Sequence, residues 1–415
     1  MQNIDYPNKL NNIFEKLDKY NIKPIIVGGY VRDKILKLDS KDIDIELYGV
    51  ENFEQIEKIL LEFGEVNSVG KSFGVCKLSY ENLDLDFSLP RRDSKVAQGH
   101  KGFEIQVEKS LNFTEAAQRR DFTINAIGYD VLTKEILDPY SGVKDLSNKL
   151  LRAVDLRKFA EDPLRVLRLV QFVARFTLKV EKNLLYKAQE MMRNELLHEL
   201  PTQRISIELE KLFLKSKSPS IGLQVLKNID GFSYFTEFSS LTDAEYTNAL
   251  KSVDCVQEYK IAESKKRLQL MFSLLCSDLS QERRETLLKK CLINKKLIES
   301  IVKLLEISFS LEEAQEYDLY LLATQVEVEL YLYYLKAKYH NRKNDKIDAL
   351  LQQAKELNIL HKKLPPLVEG KDLIALGFKA SKEFGTLLHK LYDLQMKNTF
   401  STKESALTYL QQHLL

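Results

Sequence analysis

Between residues 24 and 90 the apolar positions fall into short blocks with two different periods. "PIIVG" is a continuous apolar run ended by glycine and predicts a buried strand. "YVRDKILKL" repeats its apolar residues at helical spacing. In "DIDIELY", Ile43, Ile45 and Leu47 alternate with Asp42, Asp44 and Glu46. That is a strand of period two, and it sets three carboxylates on one face. "NFEQIEKILLEFG" reads as a helix closed by Gly64, and "GVCKLSY" with "NLDLDFSL" as a hairpin across Glu81 and Asn82. From about 90 to 112 the pattern gives way to a charged loop with two glycines, "PRRDSKVAQGHKGFEIQVEKSLN". After "LDPYSG" strand signals nearly cease. Leucine, lysine and glutamate then recur at helical periods, interrupted by "KSKSPS" (215–220) and "LPPLVEG" (364–370). The expected fold class is α+β: a mixed-sheet head followed by an all-α remainder.

Composition narrows this picture little. The 415 residues are enough for two to four domains, and the net charge of +2 confines any nucleic-acid surface to a local patch. The four cysteines, Cys76, Cys255, Cys276 and Cys291, form no CxxC pair and lie near no histidine at ligand spacing. Reduced core thiols are expected, not a zinc site or a disulfide framework. The N-terminus is too polar for a signal peptide, and no apolar run approaches the roughly 20 residues of a membrane span. A soluble, cytoplasmic protein is expected.

Candidate chemistry starts at the acidic strand. Asp42 and Asp44 leave the same face of the sheet, and paired carboxylates of this kind bridge hard cations in phosphoryl transfer. "LDLDFSL" offers a second pair, Asp84 and Asp86. Alone, the pattern fits a solvent-exposed strand face equally well. Its context is "VGGYVRD" upstream. Gly28 and Gly29 let the backbone approach a ligand closely, and Arg32 in the first helical turn suits a triphosphate.

"IIVGGYVRDKILKLDSKDIDIELYG" resembles the first signature of the class II tRNA nucleotidyltransferases and bacterial poly(A) polymerases, members of the polymerase-beta nucleotidyltransferase superfamily. "RRDFTINAIGYD" (119–130), "LDPYSGVKDL" (137–146) and "EDPLRVLRLVQFVARF" (161–176) continue the resemblance in family order. It extends more weakly to "LPTQRISIELEKLF" (200–213) and to "GKDLIALGFKASKEFGTLLHKLYDLQ" (370–395). The resemblance implies a polymerase-beta-type head (1–139), a base-recognising neck (140–217), a helical body (218–340) and a tRNA-binding tail (341–415). It implies template-independent addition of CCA to tRNA 3′ ends from CTP and ATP with Mg2+. By the same carry-over, Asp42 and Asp44 hold the metal and Asp86 or Asp84 assists catalysis. Gly28, Gly29 and Arg32 face the triphosphate, Arg119 and Arg120 contact the nucleotide, and Asn125 lies near the sugar.

The base-reading step has a physical rationale of its own. On a helix, Glu161, Arg165, Arg168 and Phe172 share a stripe with Asp162 beside it, while Leu164, Leu167 and Val170 face a core. Cytosine and adenine both present an amine donor beside a ring-nitrogen acceptor; uracil and guanine reverse that order. Asp162 accepts only and Arg165 donates only, so together they fit C and A. The resemblance adds Arg168 as a further nucleotide contact, and assigns residues 90–112, with Arg91, Arg92, Gly99, Lys101 and Gly102, to addition of the terminal A. Lys371 and Lys379 flank a glycine-bounded turn suited to a backbone phosphate. The alternatives are a CC-only or A-only enzyme, a poly(A) polymerase, or a non-catalytic tRNA-binding protein.

Overall fold

The computed structural model describes residues 4–50, 53–67, 75–95, 103–108, 110–379 and 382–413. They form two compact units, 1–239 and 240–415. The first opens with α1 (Asn11–Lys19), β1 (Lys23–Val27), α2 (Gly29–Ile35), β2 (Ile43–Tyr48), α3 (Phe53–Leu60) and β3 (Glu65–Asn67). It continues through β4 (Val75–Tyr80), β5 (Leu83–Ser88), β6 (Arg91–Lys95), β7 (Phe103–Val107), α4 (Phe113–Ala117), β8 (Gly128–Asp130) and β9 (Glu135–Leu137). Seven strands make one mixed sheet in the order β3-β4-β5-β2-β1-β8-β9. Only the central β2–β5 pair is parallel.

Alternation along β2 behaves as expected: Ile43, Ile45 and Leu47 enter the core with Ile26 and Phe87, while Asp44 and Glu46 take the other face. The expected hairpin is present. Glu81 and Asn82 both take positive φ, 45° and 64°, the geometry whose twist matches two right-twisted strands.

Two local expectations change. Helix α3 ends at Leu60, and Gly64 does not take the left-handed conformation of a helix cap. A Cβ at Gly64 would lie 2.4 Å from the Ser79 carbonyl oxygen, so its glycine serves close strand approach instead. The charged stretch after residue 90 is not simply a loop. Strands β6 and β7 pair antiparallel from Arg91↔Val107 to Lys95↔Phe103. The alternating apolar residues of "FEIQV" carried that signal. Gly99, Lys101 and Gly102 lie outside the described residues.

The rest of the first unit is largely helical: α5 (Gly142–Ser147), β10 (Leu150–Leu151), α6 (Leu156–Glu161), α7 (Leu164–Phe176), β11 (Lys179–Val180), α8 (Lys182–Arg193), α9 (Thr202–Lys215) and α10 (Pro219–Asn228). "KSKSPS" separates α9 from α10, with Pro219 at the first helical turn of α10, where its missing N–H costs nothing. Glu161 and Arg165 do not share one helix. Asp162 is extended (φ −118°, ψ 105°) because Pro163 follows it, and α7 begins anew at Leu164. Glu161 accordingly pairs with Lys158, not Arg165.

The second unit is helical throughout its described residues. It comprises α11 (Asp243–Cys255), α12 (Ser264–Leu275), α13 (Gln281–Cys291), α14 (Lys295–Leu305), α15 (Glu316–Gln325), α16 (Val328–Lys338), α17 (Asn344–Glu356), α18 (Gly370–Ala375), α19 (Lys382–Met396) and α20 (Lys403–His413). All four cysteines are free thiols, three of them buried. Among the described residues no helix is long and apolar enough to cross a membrane.

Candidate active site

The turn after β1 shapes one wall of the site. Gly28 takes φ +70° and donates its N–H to the Ile127 carbonyl at 3.0 Å. A Cβ there would meet the Arg120 guanidinium at 2.7 Å. Glycine is thus required twice, for the backbone angle and to admit Arg120 beneath the turn. Gly29 then opens α2, which carries Arg32 inward to 3% exposure.

Two Arg-Asp dipeptides lock the recess together. In "VRD", Asp33 accepts from Arg32 Nε at 2.8 Å and from Arg175 of α7 at 3.2 Å. Arg32 also donates to the Asn125 side-chain oxygen, and its guanidinium lies over the rings of Phe172 and Phe176, 5.2 and 4.7 Å from their centroids. In "RRD", Asp121 accepts from the Asn125 amide at 2.9 Å and from Arg168 Nε at 2.7 Å. Burial opposes the Asp121 charge, but Arg168 and Asn125 outweigh it and hold the carboxyl below its usual range. Arg168 is correspondingly held charged by Asp121. Phe122, Ile124 and Ile127 are fully buried.

Asp162 and Arg165, at the α6–α7 break, form another wall and are fixed by partners the sequence did not reveal. Asp162 accepts from Leu164 N at 3.1 Å and from both terminal nitrogens of Arg204, at 3.3 and 3.0 Å. Arg165 donates to the carbonyls of Lys158 and Arg119, at 2.9 and 2.7 Å. Between the walls lies a recess of about 410 Å³ lined by Gly28, Gly29, Arg32, Asp44, Arg119, Arg120, Asn125, Asp162, Arg165 and Arg168, and by Asp121 and Arg204 as well.

Residues 25–152 match the Poly A polymerase head domain and residues 263–410 a putative tRNA nucleotidyltransferase domain 2. The Multifunctional CCA protein of Haemophilus ducreyi is 31% identical over 271 residues, 62% of this chain and 63% of that protein. A CCA-adding enzyme of Buchnera aphidicola is 34% identical over 229 residues, 54% of this chain and 52% of the relative. Over these segments the chain is similar to tRNA nucleotidyltransferases and poly(A) polymerases. It spans between about half and just under two thirds of the length of these curated relatives. In fold it is similar to a solved CCA-adding enzyme in apo form (TM-score 0.74, 21% identity, 99% of this chain and 96% of the other). It is likewise similar to a Thermotoga maritima CCA-adding enzyme complexed with tRNA (TM-score 0.69, 20% identity, all of both chains).

Nucleotidyltransferases of this family use a divalent metal, and the acidic edge of the recess fits one. Asp44 on β2 lies in direct register with Asp86 on β5, and Asp42 immediately precedes β2. Among the described residues, the Asp42 and Asp44 carboxylates have no hydrogen-bond or ion-pair partner. Asp44 is open to solvent on one side but otherwise surrounded by protein. That desolvation raises its pKa; Arg120 opposes the rise, and Asp86 and Asp42 add to it. A cation would relieve the carboxylate repulsion, and the Lys77 ammonium already sits 2.8 Å from both Asp86 oxygens. Asp84 instead accepts from Ser79 Oγ at 3.0 Å.

The sequence motifs therefore gather ten expected residues in one recess and bring Asp86 to its acidic edge. Lys371 and Lys379 lie in the second unit, both exposed, with Lys371 beside Glu369 at 2.5 Å. Sequence reasoning passed over Asp121, Arg204 and the destination of Glu46. "RRD" and "PTQR" contained the first two, but only folding brings Asp121 to Arg168 and Arg204 to Asp162.

Proposed function

We propose that this chain adds C, C and A to tRNA 3′ ends from CTP and ATP, using Mg2+, in the cytoplasm. The observation that carries this reading is the recess itself. It joins the Asp44–Asp86 edge, the glycine turn with its arginines, and the Asp162–Arg165 wall. The tRNA 3′-hydroxyl oxygen attacks the α-phosphorus of the incoming nucleotide, and pyrophosphate leaves. Magnesium held by Asp42 and Asp44, with Asp86 as third carboxylate, supplies charge stabilisation for that transfer. Gly28, Gly29, Arg32, Arg119 and Arg120 hold the triphosphate end, Asn125 the sugar, and Asp162, Arg165 and Arg168 the base. Residues 1–139 act as head, 140–217 as neck, 218–340 as body and 341–415 as tail. Incubating tRNA that ends before C, after C and after CC with CTP or ATP, then sizing the products, tests the reading directly. Absence of extension on all three would refute it, and a long A ladder would indicate poly(A) synthesis instead.

The paired strands β6 and β7 connect the metal edge to "RRD". Some element must change preference after two C additions, because the base wall suits both C and A. Shortening residues 90–112 to a few residues should leave C addition largely intact and remove A addition, read by single-nucleotide extension. Retained A addition would exclude this role.

The tail lysines give a weaker, electrostatic expectation. Changing Lys371 and Lys379 together to alanine should lower tRNA affinity a few-fold. It should also flatten the slope of log affinity against log salt by about 1 for each phosphate that is no longer neutralised. An unchanged slope in filter binding would place the tRNA body elsewhere.

A further inference from the structure

Strand β2 carries one carboxylate that the metal and base roles leave unused. Glu46 follows Asp44 by two residues on the same face and is completely buried, between Ile25 of β1 and Ser88 of β5. A buried carboxylate is costly unless both of its oxygens are satisfied. Those of Glu46 are. One accepts from Arg119 Nη2 at 3.1 Å and lies 4.0 Å from Arg120 Nη2. The other accepts from the Tyr48 hydroxyl at 2.6 Å. Burial and then the Glu46 charge push the Tyr48 hydroxyl pKa up, so it remains a donor. Burial also disfavours the Arg120 charge, and Glu46 is the foremost group restoring it. Arg120 then reaches the Asn125 carbonyl at 3.3 Å and fills the space that Gly28 leaves open.

We propose that Glu46 is a positioning residue that fixes Arg119 and Arg120 against the nucleotide, at a set distance from the metal edge. The distance is set because one strand carries both groups: alternate residues on a strand stand about 7 Å apart, and β2 is held on both sides. This role rests on the nucleotide-binding reading given above. It links the arginines to the reaction through Glu46 and not through any contact of Glu46 with substrate.

Glu46→Gln keeps the side-chain shape and an acceptor for Tyr48 but removes the charge. It should raise KM for CTP and ATP together by about tenfold, the scale of a lost charge-assisted hydrogen bond. The fall in kcat should stay under about threefold, and the ranking of CTP over UTP should hold. Titrating CTP into the protein without tRNA should show the same weakening, a readout that general loosening of the fold would not confine to KM. Tyr48→Phe, which frees one oxygen of Glu46, should give the same pattern at about threefold. It decides the matter if Glu46→Gln does not fold. Unchanged CTP affinity in either folded variant, or a loss confined to kcat, would overturn the proposal. If the wild type binds CTP but transfers nothing to tRNA, the functional reading fails, and the CTP titration still tests Glu46.

Discussion

Asp44→Asn should lower nucleotide incorporation by about 10³-fold or more, while the protein melts no earlier than wild type. The activity loss follows from removing a ligand whose charge is needed at the transferring phosphate, where metal stabilisation is worth several kcal/mol. The stability sign follows from the electrostatics. Folding raises the Asp44 pKa, through desolvation first and through Asp86 and Asp42 besides. A carboxyl with a raised folded pKa favours the fold below that pKa and opposes it above, so at neutral pH its ionised form costs stability. Neutral asparagine removes that cost. Asp42→Asn, just before β2, should show the activity loss with little change in melting. Single-turnover incorporation and a thermal melt on the same samples check both halves. Activity within tenfold of wild type in both variants would remove these carboxylates from the metal site.

Legibility in the sequence followed the distance over which information had to travel. Strand β2 was readable because its period of two lies within six residues, and the hairpin because Glu81 and Asn82 alone determine its turn. The glycine turn between β1 and α2 was readable. Its second requirement, space for Arg120, was not, because that arginine arrives from beyond six further strands and α4. Glu46 was legible only as the third carboxylate of one strand face; its partner Arg119, 73 residues away, came with the fold. The break between α6 and α7 was written locally in Asp162-Pro163, and the helical stripe around it masked it. Apolar periodicity thus located elements well, while the pairing of buried charges emerged only from the fold.

Asp162→Ala should lower kcat/KM for CTP and ATP by about 10²-fold and shrink their advantage over UTP and GTP by about tenfold or more. Both base-wall side chains are held in place before any nucleotide arrives. Arg204 grips the two Asp162 oxygens, and Arg165 is tied to the Lys158 and Arg119 carbonyls. A carboxylate oxygen can accept more than one hydrogen bond, so Asp162 can hold Arg204 and still receive an exocyclic amine. Arg165 has five N–H donors and uses two on carbonyls, leaving others for a ring nitrogen. Removing Asp162 deletes the acceptor that uracil and guanine, with a carbonyl in place of the amine, are unable to use. A hydrogen bond to a charged group contributes about 1.5–3 kcal/mol, which at 1.36 kcal/mol per tenfold gives roughly the stated loss. Arg165→Ala should weaken the same two nucleotides through the donor half. Arg204→Ala should produce a smaller fall, because Asp162 keeps its charge and its bond to Leu164 N but loses its anchor. Single-turnover incorporation of all four nucleotides onto tRNA ending after C reads the outcome. An unchanged four-nucleotide ranking in the Asp162 and Arg165 variants would mean that the pair only joins α6, α7 and α9, and that selectivity resides elsewhere in the recess.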